Sequence, residues 1–209
     1  MTYRKWVLNL NGFQKRTEEK KKQILESTFE LMNTNASGRN VTMEEIAKHA
    51  NVAKTTVFKY FGTKENLIHE VFTCFFDEMG EKAKKIMAEN GPFEETLLAM
   101  SKNKIHYLNK INQSFYMDMM EYITEKGDDG LSLMMDKFSK ESYSMMLDLF
   151  HRGRKEGKVD LKYSDEFLLL YFRTLVEGIS NPQIYEKVVP YTAEWTELLI
   201  KGLAPNRRE

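Results

Sequence analysis

The sequence predicts an all-α protein, and three observations carry that prediction. The chain has only four prolines and eleven glycines in 209 residues, and long segments are free of both. Within those segments apolar residues recur at i, i+3, i+4 and i+7, the period of a helix that buries one face. No run alternates apolar and polar residues as a strand would, and no internal repeat is present, so packed helices alone are expected. A chain of this length can bury one good core, or a small module joined to a larger one.

The first helix is expected over about 17–35. Thr17 can cap it, with Ile24, Thr28 and Leu31 on one side and Leu25, Phe29 and Met32 beside them. Residues 35–40 then form a turn. A second helix starts at Thr42, where Thr42 and Glu45 have the spacing of a capping box, each side chain able to satisfy a backbone amide. Met43, Ile46, Ala47 and Ala50 give that helix one buried face. Asn51 suits the left-handed turn that ends it, and Val52 is an apolar plug before the next begins. The third helix, 54–61, has only two turns and is stopped by Gly62, after which Thr63 caps a fourth helix running to about residue 89. Beyond Asn90, Gly91 and Pro92, helices are expected at about 93–111, 113–125, 131–156, 164–180 and 191–202.

Composition narrows the classes of function. Hydrophobic residues at 42% and charged residues at 30% exclude a disordered chain. No stretch of about 18 apolar residues could cross a membrane. Residues 1–13 are positively charged early, but Asn9, Asn11 and Gly12 interrupt their apolar run, so a secretory leader is not expected. Cys74 stands alone, which points to a reducing, cytoplasmic setting. It could be a redox sensor, although nothing near it in sequence argues for a lowered pKa. His49, His69, His106 and His151 lack metal-ligand spacing. Glu94-Glu95 and Asp128-Asp129 are most simply solvated helix starts and turns. With no phosphate loop, nucleophile elbow or zinc pattern, no metal, cofactor or enzyme activity is expected.

Formal net charge is zero, yet residues 1–66 hold 12 Lys and Arg against 7 Asp and Glu, and residues 67–209 hold 19 against 24. A head at +5 on a body at −5 fits a polyanion partner at one end, and fits solvated helix faces as well. The helices at 42–50 and 54–61, joined by a tight turn, form the helix-turn-helix arrangement that docks on duplex DNA. Around the second of them, at about 100° per residue, Val57 and Phe61 face inward while Thr55, Thr56 and Lys59 point away. Lys59 can donate to guanine, and the threonines can bond a base edge or meet a thymine methyl. Lys54 lies at the helix start within reach of base or phosphate. Tyr60 on the flank offers a hydroxyl to phosphate, and Lys64 adds charge where free helix amides already favour an anion. Thr42 either contacts phosphate in the same way or serves only as a cap.

The run A-x-x-A-N-V-A-K-T-T-V-F-K-Y-F-G-T-K-E-N-L, from Ala47 to Leu67, resembles the DNA-binding domain of the tetracycline-repressor (TetR) family of bacterial transcription regulators. Val52, Thr56, Tyr60, Phe61, Lys64, Glu65 and Leu67 carry the likeness, which covers residues 17–67 by motif and the remainder by helical layout. Two residues depart from the family. Ala53 stands where Ser is common, removing a helix cap, and Phe58 stands where Tyr is common, removing a hydroxyl.

The resemblance implies two domains: 1–66, with an arm at 1–16 and a three-helix DNA-binding module at 17–66, and 67–209, which binds ligand and dimerises. The implied activity is a cytoplasmic, homodimeric regulator, expected to repress from a palindromic operator in double-stranded DNA until a small apolar or amphipathic effector releases it. The family dimerises through its last two long helices. On that view Leu168, Phe172, Leu175 and Ile179, with Leu169 and Val176 widening the stripe, join Trp195, Leu198 and Leu199 at the dimer face. By spacing alone the stripe is core or interface.

Ten of thirteen methionines follow residue 66, among them Met119, Met134, Met135 and Met145, and such side chains can line an adaptable apolar pocket, which the resemblance implies for the body. Its candidates are Tyr107, Phe115, Met117, Met120, Tyr143, Met146, Phe150 and Phe172, although ordinary core packing fits their spacing equally. Arg4, Lys5, Lys15 and Arg16 make the arm either a minor-groove contact or a simple tail. A second class of function is a helical small-molecule-binding or protein-interaction module whose DNA-reading face is inactive.

Overall fold

The structure, a computed structural model, describes residues 12–34, 38–125, 130–179, 181, 184 and 187–206. Among these the helices are α1 (Gly12–Thr34), α2 (Met43–His49), α3 (Lys54–Phe61), α4 (Lys64–Ala88), α5 (Phe93–Leu108), α6 (Gln113–Glu125), α7 (Gly130–Lys155), α8 (Asp165–Ile179) and α9 (Thr192–Leu203). Single 3-10 turns occupy Gly38–Asn40 and Val189–Tyr191. No strand occurs among the described residues, so the fold is all-α, as the helical periodicity predicts.

Two boundaries differ from expectation. α1 begins at Gly12, so Thr17 sits inside the helix instead of capping it. Residues 14–22 are all Gln, Lys, Arg, Glu or Thr, with nothing to stop a helix from extending backward. Part of the expected 1–16 arm is therefore helix, and residues 1–11, with Arg4 and Lys5, lie outside the described residues. α5 ends at Leu108 because the next helix needs its own start: Oδ1 of Asn112 accepts from the Phe115 amide at 2.7 Å.

Contacts divide the chain into two compact units. The first reaches to Glu78 and takes in Ile111–Met135; the second comprises Met79–Lys110 and Asp136 onward. The boundary expected after residue 66 falls inside the first unit. There Leu67, Ile68, Val71, Phe72 and Phe75 of α4 are buried, and α6 returns to the same core.

In the first unit, Ile24, Leu25 and Met32 of α1 form a core with Ile46, Val57 and Phe61, all buried. Nε2 of Gln23 donates to the carbonyl of Ala50 at 2.8 Å, tying α1 to the end of α2. Phe115 of α6 is fully buried, its ring edge-on to Phe29 at 5.1 Å and to Phe72 at 5.5 Å. The Asn112 amide donates to Oδ1 of Asn33 at 2.6 Å, fixing the start of α6 against the end of α1.

The second unit packs Met87, Phe93, Leu97, Met146, Leu149, Phe150, Val159, Leu168 and Leu203 into one core. Arg152 stitches the α4–α5 turn, donating to the carbonyl of Gly91 at 2.9 Å and to Oδ1 of Asn90 at 3.2 Å, where Asn90 holds a left-handed φ of 51°. At the start of α8, Asp165 bonds to Nε2 of His151 at 2.8 Å and pairs with Arg154. Those two bonds hold its carboxyl below the usual carboxylate range.

Candidate nucleic-acid interface and cavity

The start of α2 is sealed from within the chain. Oγ1 of Thr42 accepts from the Glu45 amide at 3.2 Å, and the Thr42 amide donates to Oε2 of Glu45 at 2.8 Å, completing the expected capping box. The Thr42 hydroxyl also donates to that carboxylate at 2.8 Å. The bonds from the Thr42 amide and hydroxyl keep the Glu45 carboxyl below its ordinary value. Both protons of Thr42 are thus bonded to Glu45, so the capping role is present.

The turn into α3 follows from Asn51, which adopts φ 48°, with the Val52 amide bonded to the carbonyl of Ala47 at 3.0 Å. Ala53 makes no side-chain cap bond, as its lack of a hydroxyl requires. Val57 and Phe61 are buried; Lys54, Thr55 and Lys59 are exposed, and Thr56 and Tyr60 are half-buried. One exposed edge of the reading helix thus carries Thr55 and Lys59, with Tyr60 and Thr56 on its shoulders. Nζ of Lys54 lies 3.5 Å from Glu44, an exposed pair worth about 0–1 kcal/mol and easily exchanged for a phosphate.

Gly62 ends α3 at φ 72°. The joint to α4 is held by Asn66, whose amide donates to Oγ1 of Thr63 at 3.1 Å and whose Nδ2 donates to the carbonyl of Phe61 at 3.2 Å. Lys64 is half-buried in the first turn of α4. Phe58 is a residue that sequence reasoning noted only for its missing hydroxyl, yet 45% of its surface is exposed on the reading helix. The signal was present: Val57 and Phe61 already fill the inner face of an eight-residue helix, leaving no room inside for a third large side chain. An exposed ring there suits a thymine methyl.

The second unit contains a cavity of about 240 Å³. Its walls are Met79, Gly80 and Ala83 of α4, Met100 and Lys104 of α5, Phe138, Met145 and Met146 of α7, Phe172, Leu175, Val176 and Ile179 of α8, and Trp195 and Leu199 of α9, with Val189 of the second 3-10 turn and further residues of the same helices. Of the pocket residues expected from sequence, Met146 and Phe172 line it. Phe150 and Tyr107 are buried and Tyr143 is half-buried, and none of the three lines it. Phe115, Met117 and Met120 belong to α6 in the first unit, where Phe115 is core and Met117 is exposed. Met134 and Met135 have no described side chains. Composition marked this region correctly as methionine-rich, but apolar spacing does not separate a cavity wall from a core.

The expected dimer residues divide in the same way. Leu168 is fully buried in the core, and Phe172, Leu175, Ile179 and Leu199 face the cavity. Trp195 borders the cavity and is partly exposed, while Leu198 is 64% exposed. The outward apolar residues of α8 are instead Phe167, Leu170 and Tyr171, with Leu170 61% exposed. The Phe167 ring stacks on Tyr163 at 5.4 Å and on Tyr171 at 6.2 Å. Apolar residues run almost around α8, so periodicity marked the helix but not which flank faces out.

Burial pushes the Cys74 thiol up to about 12, with Glu70, Asp77 and Glu78 adding repulsion, so its reactive thiolate is scarce. Among the described residues no three His, Cys, Asp or Glu are grouped so as to hold a metal ion, and no helix is long and apolar enough to cross a membrane.

Residues 24–71 match the family described as bacterial regulatory proteins, tetR family. The chain is 29% identical over 134 residues to the uncharacterized HTH-type transcriptional regulator YhgD of Bacillus subtilis, an alignment that covers 54% of this chain and 70% of that one. It is 27% identical over 177 residues to YvaF, another such regulator of the same organism, covering 84% and 86% of the two chains. Its fold is similar to that of the transcriptional regulator FadR from Bacillus subtilis, solved in complex with stearoyl-CoA, with a TM-score of 0.65 at 18% identity over 87% of this chain and 98% of that one. The helix-turn-helix lies inside that family match, so residues 24–71 carry a tetR-type DNA-binding region, and most of the chain's length is similar to bacterial HTH-type transcriptional regulators.

Proposed function

We propose that this regulator is a homodimeric repressor, released from a palindromic operator by a small apolar or amphipathic effector bound in the cavity of the second unit. Thr55, Thr56 and Lys59 read base edges, with Lys54, Tyr60 and Lys64 on phosphate. The observation that carries the reading is α4 itself: one unbroken helix holds Lys64 in its first turn and Met79, Gly80 and Ala83 in the cavity wall. A ligand against that wall bears on the same element that holds a phosphate anchor, as coupling between two sites requires. FadR's complex with stearoyl-CoA supports ligand binding in a fold of this kind.

Homodimerisation is supported by the exposed apolar residues of α8 and α9, since among the described residues Phe167, Leu170, Tyr171 and Leu198 keep much of their surface open. A dimer also supplies what one two-turn reading helix lacks, two half-sites about one helical turn apart, roughly 34–36 Å centre to centre. Selection of bound sequences from random duplex DNA tests the reading directly. A palindromic motif should be enriched, and small amphiphiles that occupy the cavity should lower affinity for it. Enrichment of no motif would favour the alternative, a helical ligand- or protein-binding module.

A further inference from the structure

Lys104 is the one charged residue among the described residues that line the cavity, and four of its polar neighbours there are satisfied within the chain. The hydroxyls of Ser101, Thr192 and Thr196 donate to the carbonyls of Leu97, Val189 and Thr192 at 3.0, 2.8 and 2.8 Å, and Nδ2 of Asn103 donates to the carbonyl of Met79 at 3.2 Å. Each of these groups is turned back onto the backbone. Lys104 lines the same space, yet it forms no hydrogen bond or ion pair with any described residue, and no carboxylate shares the wall with it. Lys104 is half-buried, and the protein around it depresses its pKa. A partly desolvated amine with no counter-ion, set in an apolar wall, favours an anion from outside the chain.

We propose that the cavity takes a small amphipathic anion, its carboxylate paired with the ammonium of Lys104 and its alkyl body against the methionine and aromatic walls. This deepens, and rests on, the assignment of the cavity as the effector site. The remaining wall is suited to such a body: Met79, Met100, Met145, Met146, Phe138 and Phe172 are apolar and, where they are methionines, adaptable. A cavity of about 240 Å³ has room for a short alkyl body, for which an octyl chain is a suitable probe. A neutral amphiphile would leave the amine unmatched, and a cationic one would repel it.

The test uses the full chain with Trp6→Phe, so that Trp195, in the cavity wall, is the only tryptophan and reports binding by its fluorescence. Octanoate, 1-octanol and octylamine are titrated at fixed ionic strength near neutral pH. Octanoate should bind about tenfold or more tighter than 1-octanol, the gain expected of a desolvated charge-assisted bond, and octylamine weakest. Lys104→Met, which keeps the length of the side chain and removes the charge, should bring octanoate to the affinity of octanol, and Lys104→Arg should keep the preference. Equal affinities for the three compounds, octanoate binding untouched by Lys104→Met, or no binding of any of them would each overturn the proposal. Octanoate bound through Lys104 without any change in DNA affinity would uphold the anion site and sink the effector reading, so the two fail separately.

Discussion

Gly153 of α7 lies so close to Phe93 of α5 that a Cβ on the glycine would stand 2.7 Å from Cδ2 of the ring. The same atom would be 2.6 Å from Cγ2 of Val159. Phe93 has nowhere to retreat. It is fully buried, and its amide donates to Oε2 of Glu156 at 2.9 Å.

Gly153→Ala therefore sets two effects against each other. In an open helix the change stabilises by about 1 kcal/mol; overpacking a filled core costs about 1–3 kcal/mol. The contact is tight enough for the second to win, and the variant should unfold at lower denaturant with an unchanged slope. A higher midpoint would mean that the core relaxes freely around the new methyl.

Lys59→Ala combined with Tyr60→Phe should weaken operator binding by about 1–3 kcal/mol for the lysine, with more from the lost hydroxyl. Neither side chain is in the core, so thermal unfolding should stay within about 0.5 kcal/mol of the parent. Fluorescence anisotropy on a selected operator measures the first effect and circular dichroism the second. Unchanged affinity at matched salt would move the reading surface elsewhere.

Lys64→Ala should behave differently. As a phosphate contact it lowers affinity for all sequences alike, and the slope of log affinity against log salt should flatten by about one unit. Loss confined to the operator would instead make Lys64 a base contact.

Leu170→Glu with Leu198→Glu places charge on the two most exposed leucines of α8 and α9. Neither is in the core of one chain, so the helices should persist while sedimentation velocity shows a monomer. A dimer that survives both substitutions would have its interface on another face.

Lys104 also makes a prediction about pH. Burial holds its pKa below the ordinary 10.5. Between that folded value and 10.5 the unfolded chain carries a proton that the folded chain lacks, so stability rises with pH across the window and is lost as pH falls through it. No other titratable group lines the cavity to offset this. Lys104→Met should be more stable than the parent at neutral pH, the gap closing as pH rises to the ordinary lysine value of 10.5. A gap that stays constant with pH would mean the amine is solvated in the folded state.

Much of the DNA-reading unit was legible because its information is local. Thr42 and Glu45 cap at a fixed spacing, Asn51 and Gly62 mark left-handed turns, and α3 spans the residues its punctuation predicts. The body was legible only as helices. Whether Leu168 or Leu170 faces the core depends on which neighbours α8 meets, and a helix apolar on most sides carries no mark of that. Lys104 was missed for a related reason: one lysine among 31 basic residues has no distinguishing neighbour in sequence, and only the absence of a partner in space sets it apart.

Ala53 leaves α3 without a side chain over its first amides, although the helix is only eight residues long. Its first amides are left to solvent or to an acceptor from outside the chain. A phosphate oxygen placed there would complete the helix as well as touch it, so DNA would take the part that serine plays elsewhere. Some of the order of the reading element would then belong to the complex, and Ala53→Ser, by capping α3 beforehand, should rigidify the free protein while leaving the bound form little changed.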